Sequence, residues 1–337
     1  MDKELFGEVF DNFGEPSSKK KERILLKEKK TTPSPTIEGV VVSPKGKYFL
    51  VESILDKKIY KCVVSGSIQV EHPYKTLIAV GDNVRVALTQ EKKDGETLGR
   101  IIFVDERRTF FLRKSIIGNT EDVIAANMEQ VLILLSASNP PYNKRMLDKI
   151  LIACEYGGCT PVICINKMDI ADRVVVQTDF SLYESLGYRV IYISAKTGEG
   201  IGEIQNSIKD KVTLFVGVSG VGKSTLVNRL FGKEIQKIGN LAKNLRGRHT
   251  TTFCIMLKLD DTTKIIDSPG FREFDLFGIE KENLQFYFPE FSRYFQKCKF
   301  QPCTHTHEPG CSVKNAVRRK KISQERYFSY LSLFESL

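Results

Sequence analysis

FVGVSGVGKST, residues 215–225, contains a complete phosphate-binding loop, yet it stands late in a chain of 337 residues. Residues 217–224, GVSGVGKS, match G-x-x-x-x-G-K-[ST]. The apolar run VTLFV precedes the match and STLVNRLFG follows it, which predicts the strand–loop–helix setting the motif requires. In such a loop the backbone N–H groups of Gly217, Val218, Ser219, Gly220, Val221 and Gly222 close around phosphate oxygens. The helix N-terminus adds partial positive charge. Lys223 then neutralises the β- and γ-phosphates, and the Ser224 hydroxyl ligates Mg²⁺.

The residues upstream explain the odd position. NKMD at 166–169 ends an apolar run, and SAK at 194–196 ends another. The Asp169 carboxylate suits the ring N–H and exocyclic amine of guanine, and Asn166 either contacts N7 or braces the loop. The Lys167 stem lies over the base, and Met168 completes the motif. Adenine leaves such polar groups unpaired and is rejected. Ser194, Ala195 and Lys196 supply the second base-side loop. Downstream, LRGRHTTT (245–252) and DSPG (267–270) fit the two switches of a GTPase. Thr251 is expected to complete the Mg²⁺ shell, Asp267 to hold Mg²⁺ through water, and the Gly270 amide to bond the γ-phosphate. Phe271 stands where many GTPases place a water-orienting glutamine, so His249 becomes the candidate for that role. The order base, base, phosphate, switch one, switch two describes one site in a circularly permuted domain, a rearrangement that nearby chain termini permit.

Runs on either side predict the rest. From 128 to 275, QVLILLSAS, TPVICINK, YRVIYISAK, VTLFVGVSG and TTKIIDSPG alternate with amphipathic segments such as RMLDKILIACEYG. That is the pattern of a mostly parallel α/β sheet with its site at the strand ends. Between 37 and about 105, IEGVVVS, YFLVES, IYKCVVSGSI, DNVRVALT and RIIFVD read as five short strands. Five such strands fit an OB-fold barrel, and an SH3-like barrel gives nearly the same pattern. Residues 15–36, EPSSKKKERILLKEKKTTPSPT, bury little apolar surface and read as a basic tail. The expected layout is a basic flexible tail at 1–36, an OB-fold RNA-binding domain at 37–108, a permuted GTPase domain at 109–275, and a zinc-binding and helical domain at 276–337.

CKFQPCTHTHEPGC offers Cys298, Cys303, His305 and Cys311, three thiols and an imidazole suited to a tetrahedral structural zinc, with His307 to spare. VKNAVRRKKISQERYFSYLSLF reads as a basic, aromatic-containing helical segment able to dock on RNA phosphates or on its own domain. The formal charge of +10 favours a polyanionic partner. No apolar run reaches transmembrane length, and MDKELFGEVF has no signal-peptide core, so a cytoplasmic protein with reduced thiols and no membrane partner is expected.

With these motifs in place, the chain resembles the RsgA/YjeQ family of circularly permuted bacterial GTPases from about residue 37 to its end. The resemblance rests on the barrel, NKMD, SAK, GVSGVGKST, GRHTTT, DSPGF and C-x4-C-x-H-x5-C. It implies GTP/GDP with Mg²⁺ as ligands, one Zn²⁺, the small ribosomal subunit and its rRNA as partners, and hydrolysis stimulated by the subunit. It supports Asn166, Lys167 and Asp169 for guanine, Gly217 through Thr225 for phosphates, and Cys298, Cys303, His305 and Cys311 for zinc. A monomer is expected. The competing expectations are a non-catalytic GTP-sensing RNA-binding module and a GTP-dependent metal-delivery protein.

Overall fold

Strand β1 (Thr36–Lys45) pairs antiparallel with β2 (Tyr48–Ser53), and β2 with β3 (Ile59–Val70). A computed structural model shows how the next two strands close this meander into a barrel; it describes residues 35–93, 96–115, 120–232 and 254–337. Strand β5 (Glu96–Val104) runs parallel to β3, and β4 (Asn83–Lys93) joins β5 to β1, giving the closed order β1-β2-β3-β5-β4. This is an OB-like barrel. Its interior is filled by Val41, Val51, Cys62, Val84, Val86, Ile101 and Val104, which alternate with outward residues as the pleat demands. At Gly99 a Cβ would lie 2.5 Å from Val86 Cγ1 and 2.7 Å from Cys62 Sγ, so the barrel interior leaves room only for glycine there.

A hairpin, β6 (Phe110–Lys114) and β7 (Glu121–Ala126), follows the barrel. The sequence reading did not anticipate it. Two short strands are marginal alone, and this pair is held by its neighbours. Phe110 N–H donates to the Gly157 carbonyl at 3.0 Å, and Ala126 N–H donates to the Val80 carbonyl at 2.9 Å.

The large sheet contains β8 (Gln130–Ser136), β9 (Thr160–Asn166), β10 (Arg189–Tyr192), β11 (Val212–Val216), β12 (Ile255–Lys258) and β13 (Lys264–Asp267) in the order β10-β9-β8-β11-β13-β12. Five strands are parallel, and β12 is an antiparallel edge. Every residue of β8, QVLILLS, is buried because helices or loops cover both faces. Val131, Ile133 and Leu135 face α1 (Lys144–Tyr156) and α2 (Arg173–Ser185); Leu132 and Leu134 face α3 (Ile201–Ile208) and α4 (Lys223–Phe231). Asn143 caps α1 by accepting from Met146 N–H at 3.1 Å, the role expected of Asn at that position.

After β13 the chain runs through short 3₁₀ turns at Lys281–Tyr287, Pro289–Phe291 and Phe295–Lys297 into α5 (Ser312–Arg318) and α6 (Gln324–Ser336). The basic segment expected as one helical stretch is therefore two helices. Its apolar side docks on its own domain: Tyr330 is fully buried, 4.9 Å from the Phe291 ring and 5.3 Å from Phe288. Arg326 is buried too, donating to Asp148 on α1 at 2.5 Å and to Glu290 at 2.7 Å. Arg318, Arg319, Lys320 and Lys321 remain exposed at the turn between the helices. Among the described residues no helix is long and apolar enough to cross a membrane.

Candidate functional site

The loops after β8, β9, β10, β11 and β13 all open at the same edge of the sheet, because parallel strands place their C-terminal ends together. The phosphate loop leaves β11 and enters α4 at Gly222, whose φ of +99° suits glycine and whose missing Cβ would meet Asn166 Nδ2 at 2.3 Å. This close approach brings the base motif and phosphate loop together across 55 residues. Asn166, buried to 2% exposure, donates through Nδ2 to the Val221 carbonyl at 2.8 Å and accepts from Ala195 N–H at 2.9 Å. These two hydrogen bonds link the base-side loops to the phosphate loop through one side chain. Lys167, held in the left-handed region at φ 67°, donates Nζ to the Gly220 carbonyl at 2.7 Å and to the Asn139 carbonyl. Its stem thus lies between the two loops.

Asp169 accepts from the Ser194 hydroxyl at 2.7 Å, and Lys196 Nζ stands 3.9 Å from its other oxygen. Met168 is buried in the core and anchors the turn. Gly217–Thr225 form the loop and the start of α4, with Ser224 and Thr225 exposed. Lys223 is 8% exposed and donates Nζ to the Gly217 carbonyl at 3.0 Å. Burial pushes its pKa down, and Asp267 opposes that shift. An ammonium so placed gains strongly from an anion, since a desolvated charge needs a partner.

Asp267 ends β13 beside this lysine and is buried, and Ser268 donates its hydroxyl to the Phe215 carbonyl at 2.7 Å. A Cβ on Gly270 would stand 3.1 Å from Ser219 Cα and 3.5 Å from Lys223 Nζ, so DSPG lies directly against the phosphate loop. Phe271 is buried, 5.6 Å from the Phe274 ring, and a phenyl ring has no polar atom with which to orient a water. His249 and Thr251 lie outside the described residues, as does the basic tail through residue 34.

The cysteine–histidine cluster is the second centre. Ligand atoms of Cys298, Cys303, His305 and Cys311 all lie within 4.8 Å of one another, and all four residues are buried. Tetrahedral zinc with bonds of about 2.3 Å to sulfur and about 2.0 Å to nitrogen separates ligands by about 3.5–3.8 Å. The cluster shows 3.9 Å for Cys298 Sγ to Cys311 Sγ, 3.6 Å for Cys298 Sγ to His305 Nδ1, and 3.4 Å for His305 Nδ1 to Cys311 Sγ. The donor set fits zinc. Burial lowers the His305 pKa to about 4, which keeps the ring neutral and able to ligate. Its other nitrogen, Nε2, bonds Gln285 Oε1 at 2.8 Å, an outer partner of the kind that fixes a ligating imidazole. Tyr327 and Tyr330 of α6 donate to the His305 and Thr304 carbonyls at 2.7 and 2.8 Å. His307 is exposed and shares a hydrogen bond with the Thr306 hydroxyl.

Gln285 and Arg229 carry weight in these sites, and neither was read from the sequence. Each acts on residues 20 or more positions away and belongs to no motif.

An OB-like barrel followed by a P-loop sheet whose base-side loops precede its phosphate loop defines a circularly permuted GTPase. The chain belongs to the RsgA GTPase family, whose sequence model matches residues 104–277. A curated relative from Chlorobaculum tepidum, named small ribosomal subunit biogenesis GTPase RsgA, is 39% identical over 308 residues, covering 90% of this chain and 98% of the relative. The crystal structure of YjeQ from Thermotoga maritima is similar with a TM-score of 0.68 at 30% identity, covering 90% of this chain and 99% of that one. The structure of YloQ, described as a circularly permuted GTPase, shares the fold with a TM-score of 0.65 at 24% identity, covering 92% of this chain and 97% of that one.

Proposed function

We propose that this GTPase binds the small ribosomal subunit and its rRNA, assists late maturation of the subunit, and hydrolyses GTP to GDP and phosphate while bound. The observation that carries this reading is a single guanine-nucleotide site built in permuted order behind an OB-like barrel, in a chain whose curated relatives bear the name small ribosomal subunit biogenesis GTPase. In the reading, Asp169 accepts from the guanine ring N–H and amine while Asn166 and Lys167 hold the base and phosphate loops at fixed separation. Gly217 through Thr225 wrap the phosphates, and the Gly270 amide meets the γ-phosphate where DSPG abuts the loop. Ser224 and Thr251 would hold Mg²⁺, with Asp267 doing so through water, and the ion would supply positive charge against the phosphates. Phe271 is occupied in the core, so His249 is assigned to orient the attacking water.

A zinc held by Cys298, Cys303, His305 and Cys311 would be structural, since four protein ligands would leave no open position. Binding to rRNA is supported by the exposed run Arg318–Lys321 and by outward cation–aromatic pairs on the barrel. Lys61 Nζ lies 4.6 Å over Tyr48, and the Arg85 guanidinium lies 3.7 Å over Phe103. Cations interleaved with aromatic rings suit a nucleic-acid strand. The protein works as a cytoplasmic monomer, with 37–108 as its RNA-binding barrel, 109–275 as the GTPase domain, 276–337 as the zinc domain and 1–36 as a basic arm.

The test is GTP turnover by the purified protein alone, with stoichiometric small subunits, and with large subunits as control. Strong stimulation by small subunits only is expected, together with loss of that stimulation in His249→Ala. The buried Phe271 favours one competing reading, a nucleotide-sensing binder without turnover. GTP binding with no hydrolysis in any mixture would establish that reading instead.

A further inference from the structure

Arg229 lies in the last turn of α4, the helix that begins at the phosphate loop, and its backbone plays no part in any motif. Its side chain reaches the opposite half of the site. Nε donates to the Ala195 carbonyl at 3.2 Å, and a terminal nitrogen donates to the Lys196 carbonyl. Gly198, at φ +98°, lets the loop fold around the guanidinium: a Cβ there would stand 3.5 Å from Arg229 Cζ.

Peptide planarity carries this grip further. In a trans peptide the C=O and N–H of one unit point in opposite directions. With the Lys196 carbonyl held by Arg229, the Thr197 N–H of the same unit points away from the arginine, and it donates to Ser194 Oγ at 3.1 Å. Ser194 spends its one hydroxyl proton on Asp169 Oδ1 at 2.7 Å. The chain Arg229, Lys196–Thr197 peptide, Ser194, Asp169 is continuous. We infer that Arg229 is a positioning residue for guanine selectivity, which fixes Asp169 through the Ser194–Thr197 turn and ties its placement to the phosphate-loop helix. This rests on Asp169 reading guanine and adds a third tie between the halves of the site, beside Asn166 and Lys167.

A simpler role for Arg229 is a cation at a helix C-terminus, where the macrodipole favours positive charge. Lysine at 229 keeps that charge but lacks the planar fork that holds two carbonyls at once. The experiment therefore compares wild type, Arg229→Ala and Arg229→Lys by calorimetric titration with GDP, IDP and ADP, beside thermal melts. IDP lacks the exocyclic amine, so the GDP-to-IDP affinity ratio reads the placement of Asp169.

Wild type should prefer GDP to both other nucleotides. Both variants should lose the GDP preference over IDP, on the order of tenfold as for one displaced charge-assisted hydrogen bond, while Arg229→Lys melts with wild type. Unchanged affinities for GDP and IDP in both variants would overturn the inference and leave Arg229 as a helix-end charge. An equal fall for GDP and IDP would also overturn it, by placing the effect on the phosphate loop. Wild type without preference for GDP over ADP would defeat the guanine site itself, and the role of Arg229 with it.

Discussion

At the residue scale, the nucleotide site depends on a few buried polar groups with partners distant in sequence. Asn166 is the sharpest case, since one amide satisfies the Val221 carbonyl and the Ala195 N–H at once. Removing it strands both in a buried setting, at about 1–3 kcal/mol for each unsatisfied group. Asn166→Ala should melt several degrees lower and lose most GDP affinity; near-normal affinity in a titration would show that the two loops hold their spacing without it. The motif residues were legible in the sequence because phosphate and guanine chemistry demand particular side chains at short, fixed spacings. Arg229 and Gln285 were not, because their jobs are defined by carbonyls and a ring nitrogen brought near only by folding.

At the element scale, legibility followed periodicity and burial. The five barrel strands and five parallel strands stood out as bounded runs of β-branched and aromatic residues. Strand β12 and hairpin β6–β7 did not, because short edge elements owe their stability to what covers them. The C-terminal pair α5 and α6 shows a related difficulty, since a basic helix gives no sign of which cations it buries. Arg326 is enclosed by Asp148 and Glu290, and burial opposes its charge while the two carboxylates hold its pKa above the usual arginine value. Arg326→Ala leaves both carboxylates buried without their cation and should cost about 3–5 kcal/mol in chemical denaturation. A loss below 1 kcal/mol, roughly that of a surface pair, would mean that water reaches the carboxylates. Helix α6 also holds the Cys/His loop through Tyr327 and Tyr330, so a zinc bound there and the helix would form one cooperative unit. Chelation should therefore release one zinc per chain and raise hydrogen exchange in residues 298–311 and in α6 together. Zinc leaving with no change in α6 exchange would separate the two, and would suit a metal-delivery role better than a structural one.

At the scale of the whole described chain, the permutation sets what a nucleotide-dependent movement can reach. In this order of elements the segment after DSPG leads directly toward the Cys/His region. The structure adds a branch toward the barrel. Phe271 packs on Phe274, and Phe274 stacks 5.5 Å from Phe111 on β6, while the Asp275 carbonyl accepts from Lys114 N–H at 2.9 Å. The hairpin in turn meets the barrel loop at the bridge between Val80 and Ala125. On the other edge, Lys258 of β12 pairs with Glu52 of β2, so the strand that follows the first switch is also held by the barrel. Packed interfaces of this kind tend to have discrete arrangements and transmit small shifts without absorbing them. A change at Gly270 on meeting the γ-phosphate should therefore alter protection of β6, of residues 271–276 and of the 3₁₀ turns beyond them. Hydrogen exchange compared between GDP and a non-hydrolysable GTP analogue measures this. Slower exchange in those segments with the analogue is expected, and Phe274→Ala should confine the difference to the phosphate loop and switches. Equal exchange in both nucleotide states would mean that the γ-phosphate is sensed only locally, and that contact with the barrel and zinc region serves to position the GTPase domain.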